Sequence, residues 1–426
     1  MQKNLIYITM IAFIVGCQSN QRLATPEATA TSQVAQPSPT EIKSIWSVYD
    51  PDPGHPWNRV FRQLYERIGP NGEEVGADEL DPLLWFDTTY LLIGDSHQQA
   101  LQVLDEFLST HAENLIQDSL KRAMFQRDLW AVFDWLASQM DIHPAARIAL
   151  EVRLTEIIKR VALPEDEILS LPDNYALAVR SKDFPVEFQP DQPETAFLPP
   201  DIFQPESAWV PMGREGGPIA MTHTEAFPFF GRSVFLVFVR SPDGRAETLD
   251  FIESLNTKGN PVTAAGTEVA LVRRMLLIDD QGELVVSPLI ETIQIRHFSP
   301  IQNFYEFELD RRDLFDGSAG GLIPNSDLFM LFMSHGDVFQ IPELPTLQAT
   351  IPDICKVCHA EDPSVFRGGN TKSIVSYSRQ PFPLLNNERP ALFATTWMDG
   401  AQTVVAWKQN HETWRSLQSF WEQRSP

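Results

Sequence analysis

The sequence predicts an α+β protein with an N-terminal helical domain, a central antiparallel β-rich region and a mostly helical C-terminal segment. Three observations predict this order. Apolar residues recur at helical spacing up to residue 181, short apolar segments separated by turn residues follow up to residue 344, and a C-x-x-C-H motif opens the rest of the chain. The 426 residues are 43% hydrophobic, which suits two or three folded domains rather than disorder.

The first residues predict export. One positive charge is followed by an apolar run far shorter than the ~20 residues needed to cross a bilayer, so residues 1–16 predict a secretory signal peptide. Ile14-Val15-Gly16-Cys17 resembles the lipobox of bacterial lipoproteins. The resemblance implies that Cys17 carries acyl chains, which would anchor the protein to the membrane without spanning it. An ordinary cleaved signal peptide is the alternative.

The lipobox also implies a location in the bacterial cell envelope, on the extracytoplasmic side. In Gram-negative lipoproteins the absence of Asp after the lipidated cysteine favours the outer membrane, so Gln18 predicts the periplasmic face of that membrane. Residues 17–45 are dominated by Gln, Ala, Thr, Ser and Pro, and they predict a flexible tether between the lipid and the folded body.

Residues 46–181 predict a helical domain. Apolar side chains recur on one face of a helix that starts near Pro56, and again in a second helix for which Ser96 is a candidate cap. Longer helices are predicted over 119–140 and 144–161. Four large apolar residues of the third helix are expected to pack in the core rather than to bind a ligand: Trp130, Phe133, Trp135 and Leu136.

Residues 182–344 predict a β-rich domain. The stretch 183–232 is rich in Pro and Phe, with glycine-containing turns, and predicts loops. The turn Asp279-Asp280-Gln281-Gly282 predicts a hairpin. The predicted strands of one antiparallel sheet cover 233–239, 268–278, 283–295, 305–309 and 328–333.

The segment 345–426 carries the clearest chemical motif. Cys355 and Cys358 are separated by two residues and followed directly by His359. Two thiols at this spacing can add across the two vinyl groups of one haem, and the histidine can bind the iron from the proximal side. With Cys17 assigned to lipid, Cys355 and Cys358 are the two remaining cysteines. A chain of this size can fold without structural disulfide bonds, so the pair is available for other chemistry. The motif therefore predicts covalent attachment of one haem c, a reaction that takes place outside the cytoplasm.

A final helix is predicted over 402–421. Trp407, Trp414 and Trp421 recur every seven residues, and His411 falls on the same stripe. An apolar helical face of this kind can pack against a haem edge, or it can dock on the rest of the protein. Both interpretations are open at the level of sequence.

The order of haem motif, later iron ligand and closing helix in 345–426 resembles a small mono-haem c-type cytochrome. The resemblance implies that the sixth iron ligand is a methionine, and Met398 is the methionine that follows the motif. His411 and His335 are the alternatives. The resemblance also implies one-electron transfer to or from a redox protein partner, which the sequence does not identify, and favours this role over catalysis.

Two other functions would use the same motif. An open sixth position on the iron would indicate a haem enzyme or a gas sensor. Cys355, Cys358 and His359 could instead hold a structural zinc in an envelope binding module, although no further cysteine completes such a site. Composition excludes one class of partner, because 57 acidic against 33 basic residues, with a net charge of −24, disfavour nucleic acid.

Overall fold

A computed structural model describes the folded body of the protein. The described residues are 47–68, 74–75, 89–139, 141–226, 229–257, 263–298, 302–324, 330–333, 347–350 and 390–423. The predicted signal peptide and tether lie outside these ranges, and so does the C-x-x-C-H motif. Within them, the prediction of a mixed α+β protein is confirmed, because helices surround a seven-stranded antiparallel sheet.

The described helices account for most of the N-terminal region and for the end of the chain. In chain order they are α1 (Pro56–Tyr65), α2 (Gly94–Ser109), α3 (Ser119–Ser138), α4 (Pro144–Val161), α5 (Glu165–Leu169), α6 (Asn174–Ser181), α7 (Met221–Glu225), α8 (Arg245–Thr257), α9 (Arg311–Asp316), α10 (Trp397–Gln409) and α11 (Glu412–Glu422). Short 3-10 turns lie at Tyr90–Leu92, Ala112–Asn114 and Ser318–Gly321. No helix in the described ranges is long and apolar enough to cross a membrane.

The strands form one large sheet and two separate two-stranded pairs. They are β1 (Arg67–Ile68), β2 (Glu74–Val75), β3 (Val210–Arg214), β4 (Ser233–Arg240), β5 (Thr267–Ile278), β6 (Leu284–Phe298), β7 (Gln302–Leu309), β8 (Leu322–Pro324), β9 (Met330–Met333), β10 (Leu347–Thr350) and β11 (Leu392–Ala394). The large sheet has the order β11-β3-β4-β5-β6-β7-β8, with every neighbouring pair antiparallel, while β1 pairs with β2 and β9 with β10.

The long helices begin where local chemistry allows a start. Pro144 occupies the first turn of α4, where a missing N–H costs nothing, and this start was predicted correctly. The Asp118 carboxylate caps α3 by accepting a hydrogen bond from the Lys121 N–H at 2.8 Å. The prediction that Ser96 caps α2 is wrong. That helix already begins at Gly94, and the Ser96 hydroxyl donates to the Ile93 carbonyl at 3.0 Å instead.

Helix α3 lies at the centre of the molecule. Its residues from 123 to 137 are buried on every side, and the four large apolar residues expected in the core are all buried. One cluster of buried apolar residues joins α3 to the other N-terminal helices and to one face of the sheet, through side chains such as Leu236, Val272 and Ile293. Helices and sheet therefore share a hydrophobic core, while the boundaries at residues 181 and 344 stay predictions.

The sheet follows the sequence closely at its centre. Strands β4, β5, β6 and β7 coincide with predicted strands, and the hairpin turn lies between β5 and β6 as expected. The Asp279 carboxylate closes that turn by accepting from the Gln281 and Glu283 N–H groups at 3.0 and 2.8 Å. Gly282 supplies the positive φ of 88° that the turn requires.

The C-terminal region departs from the prediction in two ways. The single helix expected over 402–421 is wrong, because the chain breaks at Asn410 and His411 into α10 and α11. In addition, β11 joins the sheet at its β3 edge, so this region contributes a strand that was not expected. Both helices pack against the body of the protein, α10 on β4 and α11 on α3.

Candidate functional site

Cys355, Cys358 and His359, the residues predicted to attach haem, lie outside the described residues. The same holds for His335, an alternative iron ligand, and for the lipidation candidate Cys17. Their roles stay predictions. Of the expected site residues, Met398 and His411 lie in the described part of the chain, and their surroundings bear on the sixth iron position.

Met398 lies on the first turn of α10 and points to solvent. It is 58% exposed, whereas the buried side of the same helix is formed by Ala401, Val404, Val405 and Lys408. Thr396 caps the helix just before it, and the Asp399 N–H donates to the Thr396 hydroxyl at 3.1 Å. The Met398 thioether is therefore accessible, and it would have to meet a haem at the surface of α10.

His411 has a structural reason for its position on the apolar stripe. Its Nδ1 accepts a hydrogen bond from the Thr413 N–H at 3.3 Å and so caps α11. The imidazole ring lies 4.8 Å from the Trp407 ring and 5.7 Å from the Phe230 ring, measured between centroids. Any iron bond from His411 would consequently have to use Nε2.

The tryptophan stripe docks largely on the helical region. Trp414 is 1% exposed and lies 5.9 Å from the Trp130 ring of α3. The Trp421 indole N–H donates to the Thr155 carbonyl of α4 at 3.0 Å. Docking on the rest of the protein, one of the two interpretations of this stripe, is confirmed for these two residues, and Trp407 is half-buried.

A buried ionic cluster fastens the C-terminal helices to α3. The Asp134 carboxylate of α3 accepts from Lys408 Nζ of α10 at 2.6 Å and from the Arg232 guanidinium at 2.9 Å. Lys408 also donates to the Thr413 hydroxyl at 2.9 Å. Burial lowers the pKa of the Lys408 ammonium to about 8, against the opposing effect of Asp134. With all three charged side chains out of solvent, the cluster is a structural joint and offers no access to a substrate.

Two further ionic clusters tie α3 to the sheet side. Arg311 of α9 forms an ion pair with Asp128 at 2.6 Å, and the Tyr49 hydroxyl donates to the same carboxylate. Arg127 donates to Glu291 at 2.9 Å. Because all of these groups are buried, each charge depends on its partner for the solvation that water would otherwise give.

Glu291 lies at a bulge in the sheet. The register between β5 and β6 pairs Arg273 with Thr292 and Arg274 with Ile290, which leaves Glu291 as the extra residue. Its carboxylate reaches Arg127 on the helical side of the sheet, while Nε of Arg273 lies 3.7 Å from it. The bulge therefore links the helical core to an arginine on the opposite face.

That opposite face carries a row of polar residues, which we call the polar face. Side chains of β5, β6 and β7 alternate in direction, and Val272, Ile293 and Phe307 belong to the core on the helical side. Their neighbours along each strand therefore point the other way. The polar face comprises Arg273, Thr292, Gln294, Glu306 and Glu308, with Thr292 opposite Glu308 and Gln294 opposite Glu306 in the register.

Glu306 is the most unusual group on the polar face. It is only 3% exposed, and the Gln294 amide donates to its Oε1 at 2.8 Å, while its Oε2 has no hydrogen-bond partner among the described residues. Burial raises the pKa of this carboxyl to about 7, although Gln294 and Arg273 act in the opposite direction. Glu306 can therefore gain or lose a proton near neutral pH.

An imidazole lies at the margin of the same face. His223 of α7 stacks on Phe235 of β4 with a centroid distance of 5.6 Å, and Phe229 lies 5.1 Å from the same ring. The Arg273 guanidinium is 4.9 Å from the Phe229 centroid. Burial, with a smaller effect of the Arg296 charge, lowers the pKa of His223 to about 4, so its imidazole is neutral at pH 7.

The polar face thus carries an arginine and a carboxyl that titrates near neutrality, and a neutral imidazole lies at its margin. Perturbed acids and bases of this kind are characteristic of functional sites, although buried structural networks also produce them. These residues were not predicted from the sequence. A signal existed in the alternation of polar residues at every second position, Thr292-Gln294-Arg296 in β6 and Glu306-Glu308 in β7, within strands that are apolar on the other side.

Metal ligands do not converge in the ranges that the structure describes. No group of three or more His, Cys, Asp or Glu side chains there could hold a metal ion. The zinc hypothesis therefore depends on Cys355, Cys358 and His359. Comparison of the chain with protein-family models, with curated proteins and with solved structures gave no match.

Proposed function

We propose that this protein is a lipid-anchored, extracytoplasmic haem-c protein that transfers single electrons in the bacterial cell envelope. The observation that carries the proposal is the C-x-x-C-H motif at Cys355–His359 in a chain that starts with a lipoprotein-like export signal. The chain's third cysteine, Cys17, has its own assignment in the lipobox. The pair at 355 and 358 is thus available for haem in the compartment where haem is attached.

Each residue of the motif has a defined task in this proposal. The thiols of Cys355 and Cys358 each add across one vinyl group, which forms two thioether bonds without a change in iron oxidation state. His359 binds the iron from the proximal side through a ring nitrogen. When bound, the haem supplies a one-electron couple whose potential depends on the second axial ligand.

Met398 is our preferred second axial ligand, with His411 and His335 as alternatives. The thioether of Met398 is exposed on α10, which leaves it accessible to a haem carried by another segment. His411 is less suited, because its Nδ1 already caps α11. The net charge of −24 would favour a cationic redox protein as partner.

The polar face supports a second candidate, a haem enzyme with an open sixth position. Chemistry on an iron-bound oxygen species calls for an acid or base with a cationic group close by. Glu306 and Arg273 offer such a combination on one face of the sheet, with His223 near the same arginine through Phe229. A high-spin, five-coordinate iron would favour this candidate over the electron carrier.

Haem staining after denaturing electrophoresis tests the proposal, because only thioether-bound haem survives. The full-length protein, made in a host competent for cytochrome c maturation, should stain. Cys355→Ala and Cys358→Ala should each lose at least half of the stain, and the double variant all of it. Cys17→Ala is the matched control, since it removes the chain's third cysteine and should leave the stain intact.

A protein that carries no covalent haem in that host, and that contains one zinc per chain bound through Cys355 and Cys358, would overturn the proposal. The structural-zinc hypothesis for an envelope binding module would then take its place.

A further inference from the structure

Arg274 of β5 differs from the other buried arginines in the described part of the chain. Arg127, Arg232 and Arg311 each form an ion pair with a buried carboxylate, at 2.9, 2.9 and 2.6 Å. Arg274 is only 9% exposed, and no carboxylate of the described residues forms an ion pair with it. A buried guanidinium without a counterion is costly, because it has lost water without gaining a partner for its charge. An anion that reached Arg274 would remove this cost.

Aromatic rings and a backbone carbonyl hold the Arg274 guanidinium in place. Its Cζ lies 4.6 Å from the Trp397 ring centroid and 5.4 Å from that of Phe203, and both rings pack against the core on the helical side of the sheet. Its Nε donates to the Ser287 carbonyl at 2.7 Å. The side chain is thus positioned before any ligand binds, and binding would cost little further conformational entropy.

The two terminal amino groups are the part of Arg274 that can bind a ligand. No residue in the described ranges accepts a hydrogen bond from them. The charge of Asp173 acts on Arg274 without an ion pair, and its Oδ1 caps α6 by accepting from the Ala176 N–H at 2.9 Å. Burial lowers the pKa of Arg274 to about 10, so the guanidinium is charged at pH 7. Such a fork of N–H donors matches a carboxylate, which can accept two parallel hydrogen bonds.

We propose that Arg274 binds the carboxylate group of an organic acid in a site walled by Trp397 and Phe203. The guanidinium supplies the charge and two hydrogen bonds, and the rings keep water away from them. Aromatic walls favour an acid with a flat apolar body over a strongly hydrated inorganic anion. The site consists of described residues, so it does not depend on covalent haem. Because Trp397 directly precedes Met398, a propionate of the proposed haem is a second source of the same group.

Saturation-transfer difference NMR with benzoate, added to the full chain, tests the site. The wild type should give a benzoate signal that saturates with concentration, whereas benzamide, the uncharged analogue, should bind at least ~10-fold more weakly. Arg274→Met should raise the dissociation constant of benzoate by a similar factor. Arg274→Lys keeps the charge but cannot donate two parallel hydrogen bonds, so it should also weaken binding. It decides the result if circular dichroism shows that Arg274→Met does not fold.

Arg180→Met is the matched control. Arg180 lies in the last turn of α6 and is exposed, so its loss should leave the affinity for benzoate unchanged. An equal loss of benzoate binding in Arg180→Met and Arg274→Met would show that the signal reports overall positive charge, which would contradict the site.

The Cys355→Ala/Cys358→Ala chain separates the two sources of the carboxylate. Benzoate binding to both this chain and the parent chain would assign the site to a free organic acid. Binding to the variant chain alone, with a parent chain that stains for haem, would assign it to a haem propionate. No binding to either chain, or binding that both Arg274 substitutions leave unchanged, would overturn the site. If the parent chain fails to stain for haem, the proposed function falls, and benzoate binding still decides the role of Arg274.

Discussion

At the scale of single residues, Glu306 combines burial, a raised pKa and a carboxylate oxygen with no hydrogen-bond partner in the described part of the chain. Arg273, Gln294 and Glu308 are polar residues of the same face near it, and the Gln294 amide donates to its Oε1. The burial of an ionised carboxylate costs free energy that one amide hydrogen bond does not recover. The unfavourable burial of its charge is why the Glu306 carboxyl has a pKa of about 7.

We expect Glu306→Gln to flatten the dependence of stability on pH. In the folded protein the pKa of Glu306 is about 7, above the ordinary value of 4.5. Its contribution to the free energy of unfolding is therefore fully present below pH 4.5 and is lost as pH rises through 7. The wild-type free energy of unfolding should fall, relative to the variant, by on the order of 3 kcal/mol between pH 5 and pH 8.

Urea unfolding at the two pH values measures this difference. Glu253→Gln, on the exposed side of α8, is the control and should track the wild type. If the free energies of unfolding of Glu306→Gln and the wild type changed equally between the two pH values, burial would not raise the pKa of Glu306.

Met398 gives a residue-scale prediction about the iron. Since its side chain is exposed, Met398→Ala should change the free energy of unfolding by less than about 0.5 kcal/mol. If its thioether binds the iron, the weak oxidised absorption band that belongs to methionine ligation should disappear and the potential should fall. His411→Ala is the contrasting variant, with a loss of about 1 kcal/mol from the missing cap and an unchanged spectrum.

A spectrum that is unchanged in Met398→Ala and altered in His411→Ala would assign the sixth position to the histidine. Optical titration of the purified oxidised and reduced protein provides the measurement.

At the scale of elements, α3 organises the molecule through charges as well as through apolar packing. Three of its residues, Arg127, Asp128 and Asp134, each form a buried ion pair with a different part of the chain. Buried pairs add little net stability compared with apolar residues of the same size, but the loss of one partner is costly. These pairs therefore fix which elements meet α3.

The number of charges in the Asp134 cluster predicts which substitution is the more costly. Asp134 is shared by Arg232 and Lys408, so Asp134→Asn removes one carboxylate from two buried cations, whereas Lys408→Met keeps the Asp134–Arg232 ion pair. Asp134→Asn should destabilise the protein by about 3–5 kcal/mol, and Lys408→Met by clearly less. Chemical denaturation of both variants at pH 7 gives the comparison. Equal losses, or the reverse order, would show that Asp134 does not hold both cations.

Helices and strands could be predicted where the periodicity of apolar residues was continuous and the residue types favoured the same structure. Strands β4 to β7 and helices α3 and α4 meet that condition. β3 was missed because Pro211 and Gly213 give Val210–Arg214 the composition of a loop. The break between α10 and α11 was missed because the seven-residue spacing of the tryptophans continues across it, while the cap at His411 is a local feature.

At the scale of the whole molecule, the fold class could be predicted, whereas the shared core and the polar face could not. Each depends on which strands and helices become neighbours, and that is decided by contacts far apart in sequence. Arg127 and Glu291, for example, lie far apart in the sequence, and they meet only because α3 packs against the β5–β6 bulge. The C-x-x-C-H motif was visible because its two cysteines and its histidine lie within five consecutive residues.

The shared core predicts that the N-terminal helices do not fold alone. A fragment of residues 46–181 would expose the side of α3 that faces the sheet and leave Arg127, Asp128 and Asp134 without Glu291, Arg311 and Lys408. We expect it to show helical circular dichroism but no cooperative urea transition, while residues 46–426 unfold in one transition. Cooperative unfolding of the fragment would restore the helical domain as an independent unit.

The central claim is covalent haem, and the visible spectrum of the purified protein tests it most directly. The spectrum should be taken oxidised and reduced, and again after denaturation and washing to remove loosely bound haem. Sharp reduced α and β bands in the native protein, together with haem absorbance that remains after denaturation and washing, are the predicted result. Absence of haem absorbance after washing, with zinc found by elemental analysis, would contradict the claim.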